Sequence, residues 1–399
     1  MDLIRVLLIT SIATIIPGQV IRIPIVSSGA ITLTDISVAI TVITFLFLIL
    51  ISKKPLYFPK KIFYMFLLFC LSAFASTLLA LNNFTPNQIL ESSLFLIRFI
   101  LYFLIVVVSI NVIKKNKITQ WLNAVLFVGL IFTLIGILQI ILIPDLSFLT
   151  IWGWDPHRSR LTSSLIDPNF SGLLISTFLT IALVLYLHKK TKLYLLETVI
   201  FFSSIILTFS RSSYLALMTA IIIIGLMKSS KIIVITILLF VVIIFASEKV
   251  QERISGAFNL DETTQARFES WQNALAIFRQ NLIFGVGFNT YRFAQNKYGN
   301  FSLDNPIGGH SGSGSDSSFA LVAATTGILG LSAFLLFLIS IVKLITKNVA
   351  HNHLRLMATA AFFSLLIHSQ FVNSFFYPQI MVVIWLLIGL SYVKENLST

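Results

Sequence analysis

The chain has 399 residues, of which 57% are hydrophobic and 11% charged, with a mean hydropathy of +0.95. Soluble domains carry about 25% charged residues, so this composition excludes a soluble globule and defines a polytopic membrane protein. The net charge of +13 does not point to nucleic acid, because the lysines cluster beside apolar runs and no soluble basic stretch interleaves aromatics.

At roughly 17–25 apolar residues per span, the sequence predicts about twelve membrane helices. They fall at residues 3–16, 33–51, 62–81, 92–113, 121–143, 170–187, 193–209, 212–227, 232–246, 318–341, 354–371 and 380–393. The first ends near Pro17 with no small-residue cleavage site behind it, which favours a membrane helix over a signal peptide. Cys70, the one cysteine, sits inside an apolar run and excludes disulfides, zinc sites and thiol catalysis.

Lysine and arginine are sorted to opposite sides of these spans. All lysines but Lys249 and Lys297 occupy alternate gaps or a tail, and short cytoplasmic loops collect positive charge, so both termini are expected inside. Arg22, Arg158, Arg160, Arg211, Arg253, Arg267, Arg279 and Arg292 lie in the opposite gaps, where that rule does not place them. A guanidinium grips phosphate with a planar two-donor fork, which suggests a phosphorylated ligand on the outer face. The expected architecture is all-α and polytopic: a bundle over 1–246, an extracytoplasmic loop with amphipathic helices over 247–317, and further membrane helices over 318–399.

Four outer segments carry candidate chemistry. Arg158 and Arg160 lead to Pro168, which should break the chain just before a span, leaving unpaired N–H groups beside two arginines; an interfacial loop with wet charges is the simpler alternative. Arg211 stands in a turn too short to reach far into solvent, with no acidic neighbour in sequence, so it either has a task or snorkels to lipid headgroups. Residues 261–281 place Phe268, Trp271, Leu275 and Phe278 opposite Glu269, Gln272 and Arg279, the pattern of an amphipathic helix lying on the bilayer or packed on other loop elements. Gly285 and Gly287 follow in a tight turn. Last, Asp304, His310 and Asp316 sit in a glycine- and serine-rich stretch that runs into a membrane helix, where a carboxylate or imidazole can act as a general base.

In this order the segments resemble the bacterial O-antigen ligase and polymerase superfamily. The residues that carry the resemblance are RLTSSLIDPNF from Arg160, SRSSYLAL from Ser210, RFESWQNAL with FGVGFNTYR from Arg267 to Arg292, and DSSFALVAATTGILG from Asp316. The last is similar to the ligases' H-[NSQ]-x9-G-x-x-G, with Gly327 and Gly330 at the matching spacing but Asp316 where ligases carry histidine. His310 lies six positions upstream of it. The resemblance implies an inner-membrane glycosyltransferase that moves a glycan from undecaprenyl diphosphate to an acceptor hydroxyl on the outer leaflet. The aspartate favours a polysaccharide polymerase over a ligase that attaches glycan to a lipid or other acceptor. A transporter or flippase for lipid-linked sugars is the reading from another class, and it would need charges buried at mid-bilayer and repeated architecture.

The two chemical demands of such a transfer distribute the residues. Arg160, Arg211, Arg267 and Arg158 are expected to stabilise the diphosphate, and Asp316, with His310 as the alternative, to accept the hydroxyl proton. Asp155, Asp167, Asp304 and Asp316 are scattered in sequence without a D-x-D pair, so no metal and no cofactor is expected. The expected partners are the lipid-linked donor, the acceptor and membrane lipids.

Overall fold

The computed structural model describes residues 1–26, 29–259, 261–300 and 314–393. Each of the twelve apolar segments is helical. They form α1 (Asp2–Ala13), α2 (Leu33–Ser52), α3 (Lys60–Leu79), α4 (Pro86–Val112), α5 (Ile118–Leu142), α6 (Pro168–Lys189), α7 (Lys192–Leu207), α8 (Arg211–Lys228) and α9 (Ser230–Ala246). After the three shorter helices α10 (Glu248–Phe258), α11 (Glu262–Gln280) and α12 (Tyr291–Lys297) come α13 (Ser318–Ile345), α14 (His353–His368) and α15 (Pro378–Tyr392). The starts follow local rules: Thr32 with Asp35 and Thr85 with Gln88 form capping boxes at α2 and α4, and Pro sits in the first turn of α4, α6 and α15.

Among the described residues, seven helices are long and apolar enough to cross a membrane: α2, α3, α4, α5, α6, α8 and α13. Helix α9 makes an eighth only if joined to the start of α10, across a bend of 104°. Helices α14 and α15 are apolar but hold 16 and 15 residues, about 24 Å at 1.5 Å per residue against a ~30 Å hydrocarbon core. Hydropathy found the apolar segments but could not set the length at which each helix ends. A second departure from an all-helical chain is a small antiparallel hairpin, Arg22–Val26 with Gly29–Thr32, between α1 and α2.

The lysine gaps meet at one end of the bundle. There Lys189 Nζ donates to Thr119 Oγ1, Lys228 Nζ to the Ala350 carbonyl and Arg5 Nε to the Val112 carbonyl, and His188 stacks on His353. Between the ends, the core of α3, α4, α13 and α15 is aromatic: Phe66 stacks on Phe103 with centroids 3.7 Å apart, and Phe99, Phe337, Phe375 and Trp385 close around them.

The turn after α11 does not stay outside this core. Residues 282–287 run alongside α13 where that helix is broken: Val286 N–H donates to Ala324 O (3.1 Å), Gly287 N–H to Thr325 O (2.9 Å) and Ile328 N–H to Leu282 O (2.8 Å). Gly327 makes the break, with φ +63°, and a Cβ there would stand 2.3 Å from the Ile283 carbonyl oxygen. Only glycine adopts that backbone cheaply and lets the two chains approach this closely. Helix α11, which precedes the turn, packs on α13 with Ala274 and Ile277 buried. Of the apolar face read from sequence, Phe268 and Leu275 are exposed while Trp271 and Phe278 are half-buried.

Candidate functional site

Two helices begin side by side at the arginine end. Asp167 caps α6, its Oδ1 accepting from Asn169 N–H (2.7 Å) and Phe170 N–H (3.0 Å), and Ser210 caps α8, accepting from Ser213 N–H. Ser210 Oγ also donates to Asn169 Oδ1 at 2.7 Å, which locks the two starts together. Helix N-termini concentrate unpaired N–H groups and positive dipole ends, so a paired start is favourable for anions.

Four arginines converge on this place. Arg160 is buried under the end of α7, its Nε donating to Thr208 O (2.9 Å) and its Nη2 to Phe209 O (3.3 Å). Burial first, then Arg253, push its pKa down to about 10, while Asp167 acts in the opposite sense. Arg211 is the first residue of α8, and its Nη2 lies 3.0 Å from Asp261 Oδ1 while Nη1 reaches the Arg253 carbonyl at 3.4 Å. The acidic partner missing around Arg211 in sequence comes from the cap of α11. Arg267, on the inward side of α11, makes no hydrogen bond or ion pair among the described residues. Burial lowers its pKa, against the attraction of Asp316.

Asp316 stands two residues before α13, its N–H donating to Ser270 Oγ of α11 at 2.9 Å. Burial pushes its carboxyl up to about 6, with Arg267 opposing and Asp167 reinforcing the rise. A carboxylate poised near neutrality beside fixed positive charge is equipped for proton transfer. Asp316, Arg267, Arg211, Arg160 and Asp167 are therefore one electrostatic unit. Arg158 is not drawn into it: its Nε lies 3.2 Å from Asp145 Oδ2 on an exposed loop. His310 and Asp304 lie outside the described residues.

Sequence reasoning named Arg253 only as one of many outer arginines and passed over His157 altogether. Arg253 acts electrostatically on His157, Arg160 and Tyr214. The scattered acidic residues are not all apart either, since Asp155 and Asp167 meet around His157, with one ligand atom of each of the three within 4.8 Å of the others. A histidine between Asp155 and Arg160 was a visible signal, though its burial was not. Lys249, an exception to the lysine rule, braces the segment by donating to the carbonyls of Arg158 and Ser159.

The fold and this cluster define a polytopic, helical membrane protein whose polar site is built on two helix N-termini and an arginine group. Residues 196–335, running from α7 into α13 and containing Arg211, Arg253, Arg267 and Asp316, match the family model described as O-Antigen ligase. That match, confined to residues 196–335, supports the O-antigen ligase and polymerase superfamily as the one this part of the chain is similar to. No curated protein matches it.

Proposed function

We propose that the chain is a surface-polysaccharide polymerase, an inverting glycosyltransferase taking glycan from undecaprenyl diphosphate to the hydroxyl of another lipid-linked repeat unit. The observation that carries this reading is the convergence of Arg160, Arg211, Arg253 and Arg267 on the starts of α6 and α8, with Asp316 in the same cluster. Departure of the glycan leaves a diphosphate whose charge develops in the transition state. Guanidinium groups held in a partly dehydrated site stabilise that charge without reorganising. The acceptor hydroxyl attacks the anomeric carbon from the opposite side and loses its proton to the Asp316 carboxylate.

The lysine end faces the cytoplasm in this reading, both termini lie inside, and the arginine cluster opens to the outer leaflet of the inner membrane. Aspartate in place of the ligases' histidine favours polymerisation over transfer to a lipid core. Incubating the purified protein in lipid nanodiscs with lipid-linked repeat units tests the proposal. A ladder of longer lipid-linked glycans supports it, and transfer to a non-identical acceptor without a ladder supports ligation instead.

A further inference from the structure

His157 is only 8% exposed, yet its ring has no hydrogen-bond partner among the described residues. Arg160 and Arg253 act on it electrostatically, against Asp167. One atom of this ring and one oxygen each of Asp155 and Asp167 lie within 4.8 Å of one another. At metal–ligand bonds of about 2.0–2.4 Å, two donors on one ion stand roughly 3–4.8 Å apart.

The donors are held on fixed backbone. The His157 carbonyl accepts from Leu146 N–H (2.9 Å), Ser159 N–H donates to Pro144 O (2.6 Å), and Asp145 bridges Arg158, so the loop is clamped on both sides of the histidine. Asp167 commits Oδ1 to the cap of α6, which orients the carboxylate and leaves its other oxygen available. Arg160 directs its Nε and Nη2 to the carbonyls of Thr208 and Phe209. Neighbouring positive charge weakens a cation site here without closing it, because two carboxylates offset one divalent ion.

We propose that Asp155, His157 and Asp167 form a site for one divalent transition ion, Mn²⁺ or Zn²⁺, with the remaining positions open to water or to ligand oxygens. Two carboxylates with one imidazole suit these ions better than Ca²⁺ or Mg²⁺, which take oxygen donors. The site stands independently of which glycan the protein moves.

The test uses tag-free, full-length protein in nanodiscs, stripped with chelator and titrated with Mn²⁺ while free ion is followed by electron paramagnetic resonance. One saturable ion per chain is expected, displaced by Zn²⁺, with ¹⁴N coupling from an imidazole in the pulsed spectrum. His157→Ala and Asp155→Asn should each weaken binding at least about tenfold, the usual scale for loss of a metal-supporting group. Asp167 is left intact because it also caps α6, and the ¹⁴N signal of the unmodified protein does not depend on any variant folding. No saturable ion, no ¹⁴N coupling, or unchanged affinity in both variants overturns the proposal. So does loss of the ion in His188→Ala, which would place it at the stacked His188–His353 pair at the other end of the bundle.

Discussion

Arg211 and Asp261, fifty residues apart, form a 3.0 Å ion pair that links the first turn of α8 to the cap of α11. The guanidinium proposed to hold the donor diphosphate is thus already held by a carboxylate. A donor must compete for it. Asp261 also caps α11, accepting from Thr264 N–H at 2.9 Å, and the two roles separate by substitution.

Asp261→Asn keeps the cap and weakens the ion pair. The KM for the lipid-linked donor is expected to fall about two- to fivefold, the equivalent of the ~0.5–1 kcal/mol of a partly exposed pair. Asp261→Ala removes the cap as well and should cost about 1 kcal/mol of stability. A raised KM in the asparagine variant would mean that Asp261 positions Arg211 for the donor and does not compete with it.

At Arg211 the fork should matter more than the charge. Arg211→Lys is expected to lose at least about tenfold in kcat/KM, because an ammonium cannot bond two phosphate oxygens in a plane. Arg160→Lys should behave likewise, and the double variant should lose less than the product of the single losses if both hold one leaving group. Near-normal turnover in Arg211→Lys would reduce that residue to a headgroup anchor.

If Asp316 is the base, kcat/KM should rise with pH to a midpoint near 6, where its buried carboxyl ionises. Asp316→Asn should remove that limb and lower turnover by roughly 10²–10⁴-fold, whereas His310→Ala should cost much less. On stability the sign is reversed: a carboxyl raised above its ordinary pKa favours the folded state fully below about pH 4, and that contribution is lost as pH rises through about 6. Asp316→Asn should therefore flatten the acid-side dependence of the melting temperature.

Gly327→Ala places a methyl 2.3 Å from the Ile283 carbonyl oxygen and forces φ +63° on a residue with a side chain. A loss of about 1–3 kcal/mol is expected from backbone strain of this kind, read as a lower unfolding midpoint in detergent. An unchanged midpoint would show that the turn at 282–287 and the break in α13 yield together.

For sidedness, single cysteines at Ser230, beside the lysine gap, and Ser255, on exposed α10, are placed in a Cys70→Ser background. They should react with an impermeant maleimide from opposite faces of the membrane. Labelling of both from one face would rule out the lysine-inside arrangement.

The sequence alone determined the membrane class, the places of the apolar helices and the sorting of lysine from arginine, because hydropathy and charge bias act locally and leave a trace in every window. Arg211 stood out for the same reason, as a charge where the bilayer edge makes charge costly, whereas Arg160, Arg267 and Asp316 were singled out through the segments that resemble the superfamily. Tertiary structure alone decided their partners. Asp261 reaches Arg211 only because the chain brings the start of α11 to the start of α8, Arg158 turns away to Asp145, and the break at Gly327 admits the turn at 282–287 into the core. Which face of α11 is buried was likewise settled by packing on α13, since a helix with apolar residues on more than one side has no preferred orientation until a neighbour supplies one. The burial of His157 was not legible: Pro156 and Arg158 on either side of it are exposed, and only the folded loop, clamped by Ser159 N–H to Pro144 O, brings its ring beside Asp155 and Asp167.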